Sequence, residues 1–273
     1  MPLAISSFGR WLGFHTLMNP ESNKSPVRES VAPRAGIPNS LNGRVVLVTG
    51  GSRGIGLAIA AACATAGAEL MLVARDRKSL QRAADGLPGE THIFAADASQ
   101  ARSVRQLFKF IKAKVGRLDV LVNNAGVFTY KPFARTTLED WKRNIGANLT
   151  SLFLVTQAAL PLLLRSRSPH IVNILSVSSR SAFPNCSAYT ASKFGALGFT
   201  RVLAEELRSK GVRVSAVLPG STSTRMTDEF DFRVHRERLM QPGDVANQVL
   251  NVLLMPRRSN VDEILLTPSA GAL

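Results

Sequence analysis

The chain has 273 residues, 45% of them hydrophobic, which is enough for one large buried core and makes a single folded domain the expectation. Two cysteines rule out a disulfide framework and fit a reducing compartment. The net charge of +15 is scattered as singles and pairs such as Arg165/Arg167 and Arg257/Arg258, so it argues against a nucleic-acid surface and for attraction of anionic ligands, a phosphorylated cofactor or an acidic carrier among them.

Residues 1–43 come first and differ from the rest, with five prolines, several serines and no sustained apolar period. They read as a flexible extension, leaving 44–273 as the catalytic domain. Leu3, Ile5, Phe8, Trp11, Leu12 and Phe14 would make a short amphipathic helix, so a floppy tail and a targeting or membrane-surface segment both stay open. Arg10 interrupts that stretch, and nowhere do about 18 apolar residues run together. No membrane span is therefore expected, and the cytoplasm is the expected location.

From Arg44 onward short β-rich runs alternate with helical patterns. Strands are predicted at Val45–Val48, Leu70–Val73, His92–Phe94, Val120–Val122, Ile171–Leu175, Val212–Val217 and Ile264–Leu266. Helices are predicted at Ile55–Ala66, Asp76–Ala84, Ser103–Val115, Leu138–Leu164, Ala188–Ser209 and Asp244–Leu254. The strands are almost wholly apolar, as strands covered on both faces must be. The expected fold is α/β: one doubly wound parallel sheet of about seven strands, a Rossmann domain with helices on both faces.

Thr49-Gly50 ends the first predicted strand, and Ser52-Arg53-Gly54-Ile55-Gly56 opens the following helix. Such a turn aims backbone amides and a helix dipole at a pyrophosphate, and glycine lets the ligand come close. The second strand ends in Arg75, where enzymes that read a ribose 2′-hydroxyl carry an acid. A guanidinium there pairs with a 2′-phosphate instead, and Arg53 could close on the same group, so NADP is expected and NAD is the less favoured cofactor. Asp76 next door could still do some acidic reading. Asp97, after the third strand, could accept from the adenine amino group or cap the helix that follows.

Downstream, Tyr189 and Lys193 stand four apart on a predicted helix, so both side chains leave one face and the ammonium can pull the phenol's pKa down. Taken with Asn123-Asn124-Ala125-Gly126, these residues resemble the short-chain dehydrogenase/reductase family over about residues 42 to 266. The family's Thr-Gly-xxx-Gly-x-Gly stands as Thr49, Gly50, Gly54 and Gly56, its Tyr-xxx-Lys as Tyr189 and Lys193, its serine as Ser176, its helix asparagine as Asn148, and its Pro-Gly as Pro219-Gly220.

The resemblance implies that Tyr189 is the general acid/base, that Ser176 hydrogen-bonds the substrate oxygen, that Lys193 holds the nicotinamide ribose and lowers the tyrosine's pKa, and that Asn148 anchors a water passing protons to Lys193. It implies cofactor contacts from Gly50, Ser52, Arg53, Gly54, Ile55 and Gly56, from Arg75, Asp97 and Ala98, and from Asn124, Ala125 and Gly126. Further contacts are implied from Tyr189, Lys193, Pro219, Gly220, Thr222 and Thr224.

The implied partner is a small-molecule carbonyl or alcohol, and the implied assembly is a homodimer or homotetramer packed through the long helices. The ending Val261-Asp262-Glu263-Ile264-Leu265-Leu266 looks more like the family's general carbonyl and alcohol oxidoreductases than its carrier-protein reductases. A 3-oxoacyl-thioester reductase is nevertheless kept as the alternative, and a non-catalytic NADP-binding regulator as a lesser one. The four histidines share no metal-ligand spacing and no bound metal is expected. Loops Val127–Tyr130 and Ser178–Phe183, with a short polar segment Arg225–Gln241 as lid, are expected to line the substrate pocket. Cys186 is expected to be a buried, inert thiol.

Overall fold

The computed structural model describes residues 40–228 and 238–271. The apolar residues near the N-terminus and the middle of the lid segment lie outside the described residues.

Seven parallel strands form one sheet in the order β3-β2-β1-β4-β5-β6-β7. They are β1 (Val45–Thr49), β2 (Glu69–Ala74), β3 (Thr91–Ala95), β4 (Val120–Asn123), β5 (His170–Ile174), β6 (Arg213–Pro219) and β7 (Glu263–Leu266). The helices are α1 (Gly54–Thr65), α2 (Arg77–Asp85), α3 (Ala101–Lys114), α4 (Leu138–Ile145), α5 (Ser151–Leu163), α6 (Ser187–Arg208), α7 (Arg225–Asp228) and α8 (Pro242–Leu254). The strand order reverses between β1 and β4, and a crevice opens there at the carboxyl ends of the strands.

Side chains alternate across each strand, so the apolar runs feed two cores. Val46, Val48, Leu70, Leu72, Val120 and Val122 face α1 and α8, where Ile59, Cys63, Val245 and Val249 are buried. Val45, Leu47, Met71, Val73 and Leu121 face the other way, onto Leu107 and Ile111 of α3 and Val155, Ala159 and Leu163 of α5. Each such fully buried side chain contributes about 1.5–3 kcal/mol. The packing begins ahead of Arg44: Leu41 is fully buried in the first core and its amide donates to Ala66 O at 2.7 Å. The boundary placed at residue 43 thus cuts through packed chain.

The single helix predicted for Leu138–Leu164 is interrupted. Gly146–Thr150 is a turn of π-helix between α4 and α5, and Pro161, which has no amide to give, sits inside α5. Leu138–Leu163 is long and apolar enough to span a membrane by composition, with a mean hydropathy of 1.4. Its apolar face is nevertheless occupied by the sheet, as Leu152, Val155, Ala159 and Leu163 are buried.

At the amino ends of the strands the polar groups close on one another. Asp119 accepts from the Val45 amide at 2.9 Å, from Arg117 at 2.9 and 3.1 Å, and from Ser166. Arg44 donates to Leu253 O and Ser168 O, and Arg213 to Met255 O, which caps the carbonyls at the end of α8. His170 is fully buried between them, bonded to Ser215 Oγ at 2.9 Å. Glu69 and Glu90 both approach His92 Nε2, at 3.0 and 3.2 Å, across β2 and β3 at this end. Their sequence spacing does not reveal that cluster.

Candidate active site

At the carboxyl ends of the strands lies a groove of about 1210 Å³. Its floor is the turn from β1 to α1. Gly50 has φ +66° and a Cβ there would come within 2.8 Å of Asn124 Nδ2, so the turn requires glycine. The Asn124 amide donates to Thr49 O and Gly50 O at 3.0 and 3.2 Å, while Thr49 Oγ1 accepts from the amides of Asn124 and Ala125. These bonds join the ends of β1 and β4 into one rigid rim. The first turn of α1 carries no side-chain cap and no acid, which leaves its amides and dipole for an anion.

Of the residues expected to contact a cofactor, Gly50, Ser52, Arg53, Gly54, Ile55, Arg75, Asp97, Ala98, Asn124, Ala125, Gly126 and Thr224 line this groove. Gly56, Pro219, Gly220, Thr222, Tyr189 and Lys193 are outside the lining. Gly56 packs α1 against the rim instead: a Cβ there would sit 2.3 Å from Gly50 O. Thr222 turns its hydroxyl onto Gly220 O at 3.0 Å, and the Gly220 amide is held by Leu266 O.

Arg53 and Arg75 share the groove's lining with Ser79 and Arg82, which the sequence reading did not single out. Arg82 lies three residues after Ser79 on α2, so the two share a helical face, and its guanidinium reaches Ser79 Oγ at 3.3 Å. Asp76 lines the groove as well and has a structural role of its own. Its carboxylate caps α2, accepting from the Ser79 amide at 2.7 Å and from the Ser79 hydroxyl, and these bonds hold its pKa below the ordinary carboxylate value. Asp97 does not cap α3 either, since the cap position is Gln100. It accepts from the amide and hydroxyl of Ser99 at 2.9 and 2.7 Å in a turn ahead of the helix.

Beyond the groove, Ser176 stands two residues past the end of β5, and α6 carries Tyr189 and Lys193 in its first two turns, all three nearly buried. Ser176 sits beside the Tyr189 phenol and pulls its pKa down, and its oxygen accepts from the Ser178 amide at 3.1 Å. Lys193 Nζ donates to Ile174 O at 3.2 Å and lies 5.8 Å from the Tyr189 ring centroid. Burial dominates the titration of both. It pushes the phenol up to about 12, against the opposing pull of Ser176, and the ammonium down to about 8. Lys193 stands on the same face of α6 as Tyr189, and in the polypeptide alone burial is the largest influence on the phenol.

Asn148 sits in the π-turn with its amide fully engaged. Oδ1 accepts from the Val127 amide at 2.8 Å, and Nδ2 donates to Val127 O at 3.0 Å and Ser192 Oγ at 2.9 Å. Ser192 in turn donates to Tyr189 O at 2.6 Å. The Asn148 side chain thus clamps the β4 loop to α6. Cys186, at the start of α6, is buried and its thiol pKa is raised by that burial.

The loop after β4 leans over this corner. Phe128 meets the Tyr189 ring at 4.6 Å between centroids and 67° between planes, and stacks on Tyr130 at 6.5 Å and 14°. Tyr130 is joined to the opposite loop by Asn185, whose amide donates to its hydroxyl at 3.0 Å from a left-handed backbone at φ +64°.

A family model described as short chain dehydrogenase matches residues 44–233. The 3-oxoacyl-[acyl-carrier-protein] reductase of Synechocystis sp. is 39% identical over 221 residues, 77% of this chain and 89% of that protein. Among solved structures, a metagenomic short-chain oxidoreductase in complex with NADP superposes with a TM-score of 0.73 at 34% identity, covering 84% of this chain and 98% of that one. An alcohol dehydrogenase from the archaeon Thermococcus sibiricus, complexed with 5-hydroxy-NADP, gives a TM-score of 0.77 at 28% identity, covering 84% and 97%.

Proposed function

This chain belongs to the short-chain dehydrogenase family, and from that premise we propose that it is an NADP(H)-dependent oxidoreductase acting on a carbonyl or secondary alcohol. The observation that carries the reading is the buried Tyr189–Ser176 pair with Lys193 beside it, together with a groove lined by Arg53 and Arg75. The groove fits a phosphorylated dinucleotide: an uncapped helix start faces the place for a pyrophosphate, and Arg53, Arg75 and Arg82 stand where a 2′-phosphate would be read. When bound there, the cofactor supplies the hydride.

The rest of the chemistry belongs to the polypeptide. A phenol with a pKa pushed up to about 12 is protonated throughout the neutral range, so Tyr189 is set to give a proton to a carbonyl oxygen as the carbon is reduced. Ser176 hydrogen-bonds the same oxygen as charge develops on it. Lys193, with its pKa lowered to about 8, is still mostly a cation at pH 7 and stabilises the tyrosinate left behind.

A 3-oxoacyl-thioester reductase is the second reading, supported by the 39% identity to the Synechocystis protein and by the basic surface. A regulator without turnover has no use for the Tyr189–Ser176–Lys193 arrangement. Assembly into a dimer or tetramer through α5 and α6 fits the exposed Phe153, Phe194 and Val202, and a cytoplasmic location fits the two free cysteines.

The test is NADPH oxidation by the purified protein against aldehydes, ketones, diketones and acetoacetyl thioesters, with NADH alongside. Turnover with NADPH preferred supports the reading, and the ratio of thioester to ketone rates chooses between its two forms. No turnover of any carbonyl with NADPH bound would sink it.

A further inference from the structure

Ser176 and Tyr189 have to meet one substrate oxygen, yet they stand on different elements, and the segment that carries Ser176 has already left the sheet. The Leu175 amide still donates to Val217 O of β6 at 2.7 Å. From there the chain turns on itself: Ser176 O accepts from the Ser179 amide at 2.9 Å, Ser176 Oγ from the Ser178 amide at 3.1 Å, and Val177 O from the amides of Arg180 and Ser181, both at 3.0 Å. The turn is stiff within itself, so what fixes its far end also fixes Ser176. Among the described residues, one hydrogen-bonded contact joins residues 177–184 to another segment, the ion pair between the Arg180 guanidinium and Glu263 of β7.

Glu263 holds a second element as well. Its other carboxylate oxygen accepts from Arg201 Nε at 2.7 Å, and Arg201 lies on α6, the helix of Tyr189 and Lys193, about three turns beyond the tyrosine. One carboxylate thus grips the serine turn with one oxygen and the tyrosine helix with the other. Its own place is set by the ladder, where Glu263 pairs with Ala216 of β6 and the neighbouring Asp262 O accepts from the Ala216 amide at 2.8 Å. Among the described residues neither Arg180 nor Arg201 pairs with any other carboxylate, so without this acid the two guanidiniums would be left as like charges with nothing between them. An exposed ion pair contributes little to stability. A small displacement of a group that must touch the reacting oxygen is by contrast expensive in rate.

Resting on the carbonyl chemistry proposed above, we propose that Glu263 is a positioning residue for that reaction: by bridging Arg180 and Arg201 it sets the serine turn against α6, so that Ser176 and Tyr189 converge on the same oxygen. It touches neither substrate nor cofactor and acts through Ser176. Its loss should therefore be felt in the turnover of bound substrate and not in the hold on NADPH, because Glu263, Arg180 and Arg201 are all absent from the lining of the cofactor groove.

The test measures kcat, by single turnover where it is slow, on the best carbonyl of the panel with NADPH, and the NADPH dissociation constant from cofactor fluorescence. The proteins are the wild type, Glu263→Gln, Arg180→Gln, the double variant of these two, Ser176→Ala, and Ser176→Ala with Glu263→Gln. Each of the two single changes to the bridge is expected to lower kcat about 10-fold, the double variant to be no slower than the slower single, and the NADPH dissociation constant to stay within about 2-fold of wild type. In the Ser176→Ala background, adding Glu263→Gln should change kcat by less than about 2-fold, since the group it positions is gone. A 10-fold loss in both backgrounds would make the bridge a support of the fold at large and overturn the inference, as would wild-type kcat in Glu263→Gln. Should Glu263→Gln fail to bind NADPH, Arg180→Gln takes its place in both backgrounds, with the same two results deciding. If the wild type reduces a carbonyl and the bridge variants are as fast, this inference fails while the proposed function stands. If the wild type reduces none, both fail.

Discussion

Asp119 and Lys193 are both almost fully buried ions, one just before β4 where strands begin and one on α6 beside the end where strands finish. Asp119 accepts from an amide, a guanidinium and a hydroxyl, and despite the opposing effect of its burial its pKa is held below the ordinary carboxylate value. Lys193 donates to one carbonyl, and burial wins. The contrast extends to the arginines. Arg44 and Arg213 at the amino ends cap carbonyls at the end of α8, while among the described residues no carboxylate pairs with Arg53 or Arg75 in the groove. Groups satisfied within the chain serve stability, and groups left with capacity serve ligands.

The largest test of that division is Tyr189→Phe. Loss of the proton donor should lower kcat/KM by about 10²- to 10⁴-fold, with NADPH affinity and the denaturant midpoint unchanged. A variant as active as wild type would put the chemistry elsewhere. The mirror experiment is Asp119→Ala, which leaves the Val45 amide unpaired and removes the partner of Arg117. Stability should drop by about 3 kcal/mol, seen as a lower urea midpoint at constant slope, while KM for NADPH at low temperature is untouched. A change in KM would mean that the two ends are not separable. Arg75→Gln comes next in size: NADPH should bind about 10- to 100-fold more weakly, as expected for loss of a charged hydrogen bond, with NADH affinity unaltered and no loss of stability. Equal losses for the two cofactors would show that Arg75 does not read the 2′-phosphate.

The division was unevenly legible in the sequence. Strands such as Val45–Thr49 are continuous apolar runs, and helices such as α6 carry a period, so the alternation and the parallel sheet could be read directly. The ligand end was legible through its motifs, because a glycine turn and a Tyr-xxx-Lys spacing are local. What was missed depends on residues far apart in the chain. Asn148 clamps Val127 and Ser192 across 21 and 44 positions, and no local pattern announces a π-turn. Arg82 lies on a face that only the fold turns toward Arg75. The commitments of Asp76 and Asp97 to turn amides are local, but each residue fits a ligand role and a capping role equally well until the partners are seen. The amino-end network is the least legible, since Asp119, Arg44 and His170 belong to different strands.

His170 offers the smallest effect and the cleanest reading of the amino end. It is fully buried, its Nε2 is bonded to Ser215, and its Nδ1 has no hydrogen-bond partner among the described residues. Burial holds its pKa well below the ordinary 6.5, and the nearby Arg213 and Arg44 push it the same way. In the unfolded chain the imidazole takes up a proton as pH falls through about 6.5, whereas in the folded chain it stays neutral. The unfolded state therefore binds more protons below that pH, and the protein loses stability on acidification, by at most about 1.4 kcal/mol per pH unit from this one group. Above pH 7 the contribution is complete and flat. Urea midpoints measured from pH 8 to pH 5 should bend downward near 6.5 in the wild type, and His170→Gln, which keeps a side chain able to bond Ser215, should remove about one proton from the slope while leaving KM for NADPH unchanged. An identical slope in the variant would mean that His170 is protonated in the folded protein, which would require an acceptor at Nδ1 and would make the amino end less self-sufficient than its hydrogen bonds imply.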